Sequence, residues 1–333
     1  MRTLILHHSN VFNNIGDKLS YLGAINLLRQ AKPDIIILPI DYSRALADQN
    51  YIQKHDWGEV DLIALAGSPW LWVGCHKSVK YRILMDALQR CPNAKVIGLG
   101  LGSCVSRATF YDMDCYFFGG EAKERLNEIF SRFSYVLCRD YFAQWMLNEC
   151  SIQSDYYYDT AMFAYPKFAR GDNFRLDRNK KLLFFYDPTR GLSKEDLSCN
   201  PQLYINYQLT WAKTNSADVF VNYAEDKKTL DDLGISSILA TDLDWLFEQF
   251  ITCGMMLSGR IHMAVLGLMA GINKIVVMPV DSRFFGLYNM NIEFKFIEEP
   301  WGLADANIPN LWEEVKRQEQ LIVEIIRDKF GLK

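Results

Sequence analysis

Met255-Met256-Leu257-Ser258-Gly259-Arg260-Ile261-His262-Met263-Ala264 reads as a short apolar strand, a tight polar turn and the opening of an apolar helix. A strand that runs directly into a helix is the building step of βαβ architecture, where helices cover both faces of a parallel sheet. The flanking sequence repeats that step. Ile261 to Ala270 continues the helix and the β-branched run Lys274 to Met278 follows it. Upstream, Leu182 to Tyr186 and Asp218 to Asn222 have the length and composition of buried strands, and Asp242 to Cys253 has helical periodicity.

The first half alternates in the same way. Strand candidates are Leu4 to His8, Asp34 to Pro39, Asp61 to Ala66, Lys95 to Leu99, Cys115 to Phe118, Tyr135 to Cys138 and Tyr156 to Tyr158. Amphipathic stretches at Lys18 to Gln30, Lys77 to Arg90, Glu121 to Phe133 and Tyr141 to Glu149 lie between several of them. Pro166 to Lys181 is polar and basic around Arg170-Gly171-Asp172-Asn173, which marks a linker between the two series. The expected fold is α/β, with two Rossmann-like domains, 1–168 and 178–305, facing a cleft. A helix at Leu311 to Lys329, within 306–333, could cross back onto the first domain. A chain of 333 residues exceeds the roughly 250–300 at which single cores stop growing, which favours two domains.

Half the residues are hydrophobic and 23% are charged, the composition of a packed protein. A net charge of -4 offers no basic field for a polyphosphate backbone, which argues against a nucleic-acid partner. The eight cysteines form no C-x-x-C pair and read as reduced thiols. No stretch suits a secretory signal or a membrane span, so the expected location is the cytoplasm, with peripheral contact at the inner membrane face compatible. The sequence leaves a homo-oligomer open.

In open parallel sheets ligands bind beyond the carboxyl ends of the strands, so the strand-to-helix turns hold the candidate site. Asn14-Ile15-Gly16-Asp17 follows the first strand. Gly16 permits a tight turn and Asp17 can cap the helix; alternatively Asn14 and the opening N–H groups face a ligand. Of His7 and His8, one should pack inward; His8 is a cleft candidate. Gly98-Leu99-Gly100-Leu101-Gly102 lacks the G-x-G-x-x-G spacing of a dinucleotide site, so close backbone packing explains it best, with Gly100 still near the cleft. Arg139 ends a strand and could grip phosphate or carboxylate, while Asp140 caps the next helix; a paired surface arginine is the plainer reading. Asp159 is a cap or a cleft carboxylate. Arg260 and His262, at the start of an apolar helix, are costly unless used. A helix amino terminus, a guanidinium and an imidazole together suit an anionic substrate that needs a proton moved. The pairs Asp112/Asp114 and Asp242/Asp244 lack companions, so no metal site is expected. Tyr156 to Tyr158 could stack on sugars, though core packing competes.

At these residues the chain resembles the polysaccharide pyruvyl transferase family. Its Asn-x-Gly-Asp signature is similar to Asn14 through Asp17, its Gly-x-Gly-x-Gly strand end to Gly98 through Gly102, its Arg-Asp to Arg139-Asp140 and its next strand-end Asp to Asp159. Its Ser-x-Arg-Leu-His motif resembles Ser258 through His262, continuing to Gly271. Ile261 replaces the usual leucine, Thr160 stands where proline is common, and Ala66-Gly67-Ser68-Pro69 occupies a region that is often a glycine run. The resemblance implies a GT-B-like fold with the acceptor on the first domain and the donor on the second. It implies that phosphoenolpyruvate, with no cofactor and no metal, gives a pyruvyl ketal to a sugar of a polysaccharide or glycan precursor, free or on a lipid-linked oligosaccharide. By the same resemblance His262 is the acid/base, Arg260 and Arg139 clamp phosphate and carboxylate, and Ser258, Asn14, Gly16 and Asp17 complete the donor pocket. Two other readings share the architecture: a glycosyltransferase using a nucleotide sugar, and a sugar-binding protein without catalysis.

Overall fold

Strand β1, Arg2–His7, shows why its sequence is an almost unbroken apolar run. Ile5 faces one core while Leu4 and Leu6 face another, since successive side chains leave opposite faces of a strand. β3, Leu62–Ala66, divides likewise: Leu62, Ala64 and Ala66 to the first core, Ile63 and Leu65 to the second. A sheet covered on both faces needs apolar residues at both parities.

The computed structural model describes residues 1–8, 14–48, 51, 57–72, 74–104, 120–164, 179–187, 201–277, 285–288, 290, 292–298 and 301–331. The strand expected at Cys115 to Phe118, nearly all of the expected linker, and Asp112 and Asp114 lie outside these residues. In order, the first half contains β1, α1 (Ile15–Ala31), β2 (Ile36–Asp41), α2 (Tyr42–Ala47), β3, β4 (Pro69–Leu71), α3 (Val79–Arg90) and β5 (Lys95–Ser103). It continues with α4 (Gly120–Phe130), β6 (Tyr135–Cys138), α5 (Tyr141–Glu149), β7 (Asp155–Tyr156) and a 3-10 turn at Thr160–Ala164. The second half contains β8 (Lys180–Phe184), α6 (Pro201–Asn215), β9 (Asp218–Val221), α7 (Ala224–Asp232), β10 (Ile238–Leu239), α8 (Leu243–Phe250) and β11 (Cys253–Ser258). α9 (Ile261–Met269), β12 (Lys274–Val277), α10 (Phe285–Tyr288), β13 (Ile292–Glu298), β14 (Trp301–Ala306) and α11 (Ile308–Phe330) complete it.

Two sheets result. The first is parallel in the order β2-β1-β3-β5-β6-β7, with β4 on β5. The second runs β10-β9-β8-β11-β12-β14-β13, parallel through β12 and closed by the antiparallel pair β14 and β13. Strand order reverses between β1 and β3 in one sheet and between β8 and β11 in the other, and such switch points open crevices at the carboxyl ends. The stretch Tyr156 to Tyr158 is mostly not strand: β7 stops at Tyr156 and Tyr158 is buried in the core. The helix expected over Asp242 to Cys253 is shorter, because Cys253 already belongs to β11.

One apolar core runs through both halves, from Ile5 and Leu27 to Leu266 and Ile326. Helix α1 is its hub, packing on the 3-10 turn, α9 and α11. Leu27→Ala there removes a fully buried side chain and should cost about 2–5 kcal/mol. α11 opens on Asn307, whose side chain accepts from Asn310 N, and ends on Gly331 in the left-handed conformation. Between those caps it lies along α1: Glu319 accepts from Asn26 Nδ2 at 2.8 Å and Gln30 Nε2 at 2.6 Å. Arg327 donates to the last carbonyls of α1, at Gln30 and Ala31. Asn26 and Gln30 are four residues apart and share one face.

Candidate functional site

The two switch points open on one cavity of about 240 Å³. Its walls come from the ends of β1 (His8), β3 (Ser68), β6 (Arg139), β8 (Tyr186), β9 (Asn222) and β11 (Gly259, Arg260), and from the starts of β4 (Pro69), α1, α3 and α9.

Asn14, not Asp17, caps α1: its Oδ1 accepts from Gly16 N at 3.2 Å. Asp17 sits one turn in and accepts from Asn14 Nδ2 at 2.6 Å and His8 Nδ1 at 2.7 Å. Burial opposes the ionised carboxylate, but the His8 hydrogen bond and charge override it and hold Asp17 below the usual carboxylate range. His8 stacks on Tyr42 beside the cavity, whereas His7 is buried against Tyr21 and pushed down to about 4 by desolvation.

Arg139 leaves β6 almost wholly buried. Asp140 fixes the turn behind it, accepting from Ser103 N and Oγ and from Ala143 N at the start of α5. The guanidinium lies where a Cβ on Gly102 would stand, 2.1 Å from Nε, so the last glycine of the Gly98–Gly102 run makes room for it. Gly100 packs on Thr160 and does not border the cavity. Arg139 Nη1 donates to Asp159 Oδ2 at 2.8 Å and lies 2.9 Å from His262 Nε2. Its Nη2 is buried with no hydrogen-bond partner among the described residues.

His262 crosses from the second half into this cluster. It is the one ionisable residue in α9, and its Nε2 lies 3.2 Å from Ser20 Oγ and 3.3 Å from Asp159 Oδ2. A guanidinium nitrogen can only donate, so the 2.9 Å contact makes Nε2 an acceptor and places the proton on Nδ1. A Cβ on Gly16 would sit 2.4 Å from Nδ1; glycine there admits the ring. Asp159 also accepts from Ser20 Oγ and Ala161 N. Burial would raise its pKa, yet Arg139 and then His262 hold it far below the ordinary carboxylate value.

Arg260 is held differently. Its guanidinium lies over Tyr186 at 4.3 Å and Tyr223 at 4.6 Å, with Nη2 3.3 Å from the fully buried Asp226. Ser258 turns away from the cavity: its hydroxyl donates to Arg260 O and accepts from Arg260 N, fixing the turn that carries the arginine. The first residues of α9, Ile261 to Met263, border the cavity. Asn222 reaches across to Asn14 Oδ1 at 3.4 Å.

Sequence reasoning missed Lys80, Ser20, Asn222, Tyr186, Tyr223 and Asp226. None stands beside a motif, and helix-surface lysine is ordinary in an amphipathic stretch. Six cysteines are described, all with free thiols, and all but Cys104 are buried. Among the described residues no helix is long and apolar enough to cross a membrane.

An α/β chain with parallel sheets and a cation-lined cavity at two switch points has a GT-B-like fold. The sequence model of the polysaccharide pyruvyl transferase family matches residues 14–279, and the chain belongs to that family. No curated protein matches it in sequence. Among solved structures it is similar to UDP-GlcNAc 2-epimerase from Neisseria meningitidis bound to UDP-GlcNAc, at 10% identity and a TM-score of 0.55, over 98% of this chain and 100% of that one. S. aureus MnaA, in a UDP co-structure, aligns at 9% identity and a TM-score of 0.53 over 95% and 87%. E. coli heptosyltransferase WaaC aligns at 8% identity and a TM-score of 0.37 over 82% and 87%.

Proposed function

We propose that the chain transfers the pyruvyl group of phosphoenolpyruvate to two hydroxyls of a sugar in a polysaccharide or glycan precursor, forming a ketal and releasing phosphate. The observation that carries this reading is His262 locked to Arg139 and Asp159 at a cavity that Arg260 also borders. Cations facing a small cavity suit a donor with a phosphate and a carboxylate. The reaction also needs one proton delivered to carbon.

In the proposed course, His262 takes up a second proton on Nε2, which then donates to Asp159 Oδ2 in place of accepting from Arg139. The ring gives its Nδ1 proton to the methylene carbon of the donor, whose neighbouring carbon gains oxocarbenium character. Asp159, 3.3 Å from Nε2, offsets the charge on the ring. One sugar hydroxyl attacks and its proton returns to His262. The carbon–oxygen bond to phosphate then breaks, the second hydroxyl closes the ketal, and its proton leaves with phosphate. Arg139 and Arg260 hold the anionic groups throughout, without themselves exchanging protons.

The test is the thermal shift of the protein with phosphoenolpyruvate, inorganic phosphate and UDP-GlcNAc, followed by phosphate release against a panel of sugar acceptors. At about 100 times the dissociation constant a ligand adds roughly 2.7 kcal/mol of stability. Stabilisation by phosphoenolpyruvate that Arg260→Ala abolishes, with a pyruvyl ketal in the product, supports the proposal. Stabilisation by the nucleotide sugar alone would move the assignment to glycosyl transfer.

A further inference from the structure

Lys80, at the start of α3, borders the same cavity from the first half. Its Nζ donates to Pro69 O at 2.7 Å and Ser68 Oγ at 3.1 Å. Three aromatic rings surround it, Tyr42 at 4.7 Å, Trp72 at 5.1 Å and Trp70 at 5.7 Å. Tyr42 Oη donates to the same Ser68 Oγ at 2.8 Å. Ser68 is held at a φ of 65°, a left-handed conformation that a serine adopts only under constraint. The loop Ala66 to Pro69, where this chain departs from the family pattern, is thus built around an ammonium.

An ammonium has three N–H donors, and two are spent on the loop. Among the described residues no carboxylate lies within ion-pair distance of Nζ. Ring faces and two neutral oxygens repay only part of the cost of taking a charge out of water. The group therefore stands short of a counter-ion beside a cavity that Arg139 and Arg260 also enter.

We infer that Lys80 is a third cation of the donor site, its remaining N–H reaching an anionic oxygen of the bound ligand. The identity of that anion, phosphate or carboxylate of phosphoenolpyruvate, rests on the function proposed above; the need for an anion does not. The donor site then spans the seam, with Arg139 and Lys80 from the first half and Arg260 from the second. Burial pushes Lys80 down to about 8, against Asp17 of α1, which favours the charge, and with Arg139, which opposes it; Cys104, Cys75 and the phenol of Tyr42 also face it. A clamp of this kind works when protonated, so ligand affinity should fall as pH rises past 8.

Equilibrium binding of phosphoenolpyruvate and of inorganic phosphate to wild type, Lys80→Met and Lys80→Arg, between about pH 7.5 and 9.5, tests this. In that window the phosphate ester of phosphoenolpyruvate, with a second pKa of about 6, stays dianionic. Lys80→Met should bind phosphoenolpyruvate about 10- to 100-fold more weakly at the lower pH. Wild-type affinity should fall by up to about tenfold per pH unit above 8. Lys80→Arg, charged throughout, should show no such fall, and it decides the matter if the methionine variant fails to fold. Equal phosphoenolpyruvate binding by wild type and Lys80→Met overturns the inference and leaves the donor assignment standing. Phosphate binding that needs Lys80, with no binding of phosphoenolpyruvate, upholds the inference and overturns the donor. Unchanged affinity in Lys80→Met with kcat lost would make Lys80 a proton carrier and end its role as a clamp.

Discussion

Arg139 and Arg260 border one cavity and are held by opposite means. Arg139 is buried in a directional network in which Asp159, His262 and the glycine-lined end of β5 fix the guanidinium plane. Arg260 lies over two tyrosine rings, with a 3.3 Å bond to Asp226. Stacking fixes the distance of a guanidinium from a ring but not its rotation in the plane. The first arginine is therefore set before any ligand arrives and the second can turn to meet one.

The strongest way to break this comparison is Arg139→Met. Removing the cation strands Asp159 as a buried charge, so about 3–5 kcal/mol of stability should go with it, read by denaturant unfolding. The double variant Arg139→Met with Asp159→Asn should recover most of that stability and none of the turnover, which separates the structural role from the binding role.

His262→Gln comes next. It keeps a polar group but removes the acid, and kcat should fall about 100- to 10,000-fold while the melting temperature moves little. If kcat survives, the proton comes from elsewhere.

Arg260→Lys should do less, since charge is retained while the fork and the stacking plane are lost. A rise of about 10- to 100-fold in KM for the donor is expected. The same substitution at Arg139 should also disturb folding, and equal outcomes at the two positions would erase the distinction.

The smallest effect is a pH dependence. Asp159 is ionised well below its unfolded value of about 3.9, so its contribution is fully present above that pH and is lost as pH falls toward its folded pKa. The stability gap between wild type and Asp159→Asn should narrow below about pH 4.

Most of the parallel strands were legible in the sequence because burial on both faces leaves an apolar run that few other structures need. α7 was not, since only Asp226 and Leu230 of Ala224–Asp232 are buried and the rest reads as a solvated loop. The β13–β14 hairpin carried a signal in the alternation Ile292-Glu293-Phe294-Lys295-Phe296, which marks a strand, not a helix. In the site, Arg139, Arg260, His262 and Asn14 stood out because each follows a strand. Tyr223 and Asp226 bear on Arg260 from beyond the end of β9 and from α7, and only folding shows that convergence. Ser258 carried a clear motif yet supports the turn without facing the cavity, because the pattern of residue types does not encode which way a hydroxyl rotates.

α11 has a consequence for motion. The chain passes between the halves once after Ala164 and again at Ala306–Asn307, and the second passage is fastened by Glu319 and Arg327 to α1, whose opening turn admits His262. A body joined twice has few ways to open. With the tether in place, the imidazole and the arginine it must meet remain at high effective concentration, and each re-encounter is a short local search instead of a fresh docking event.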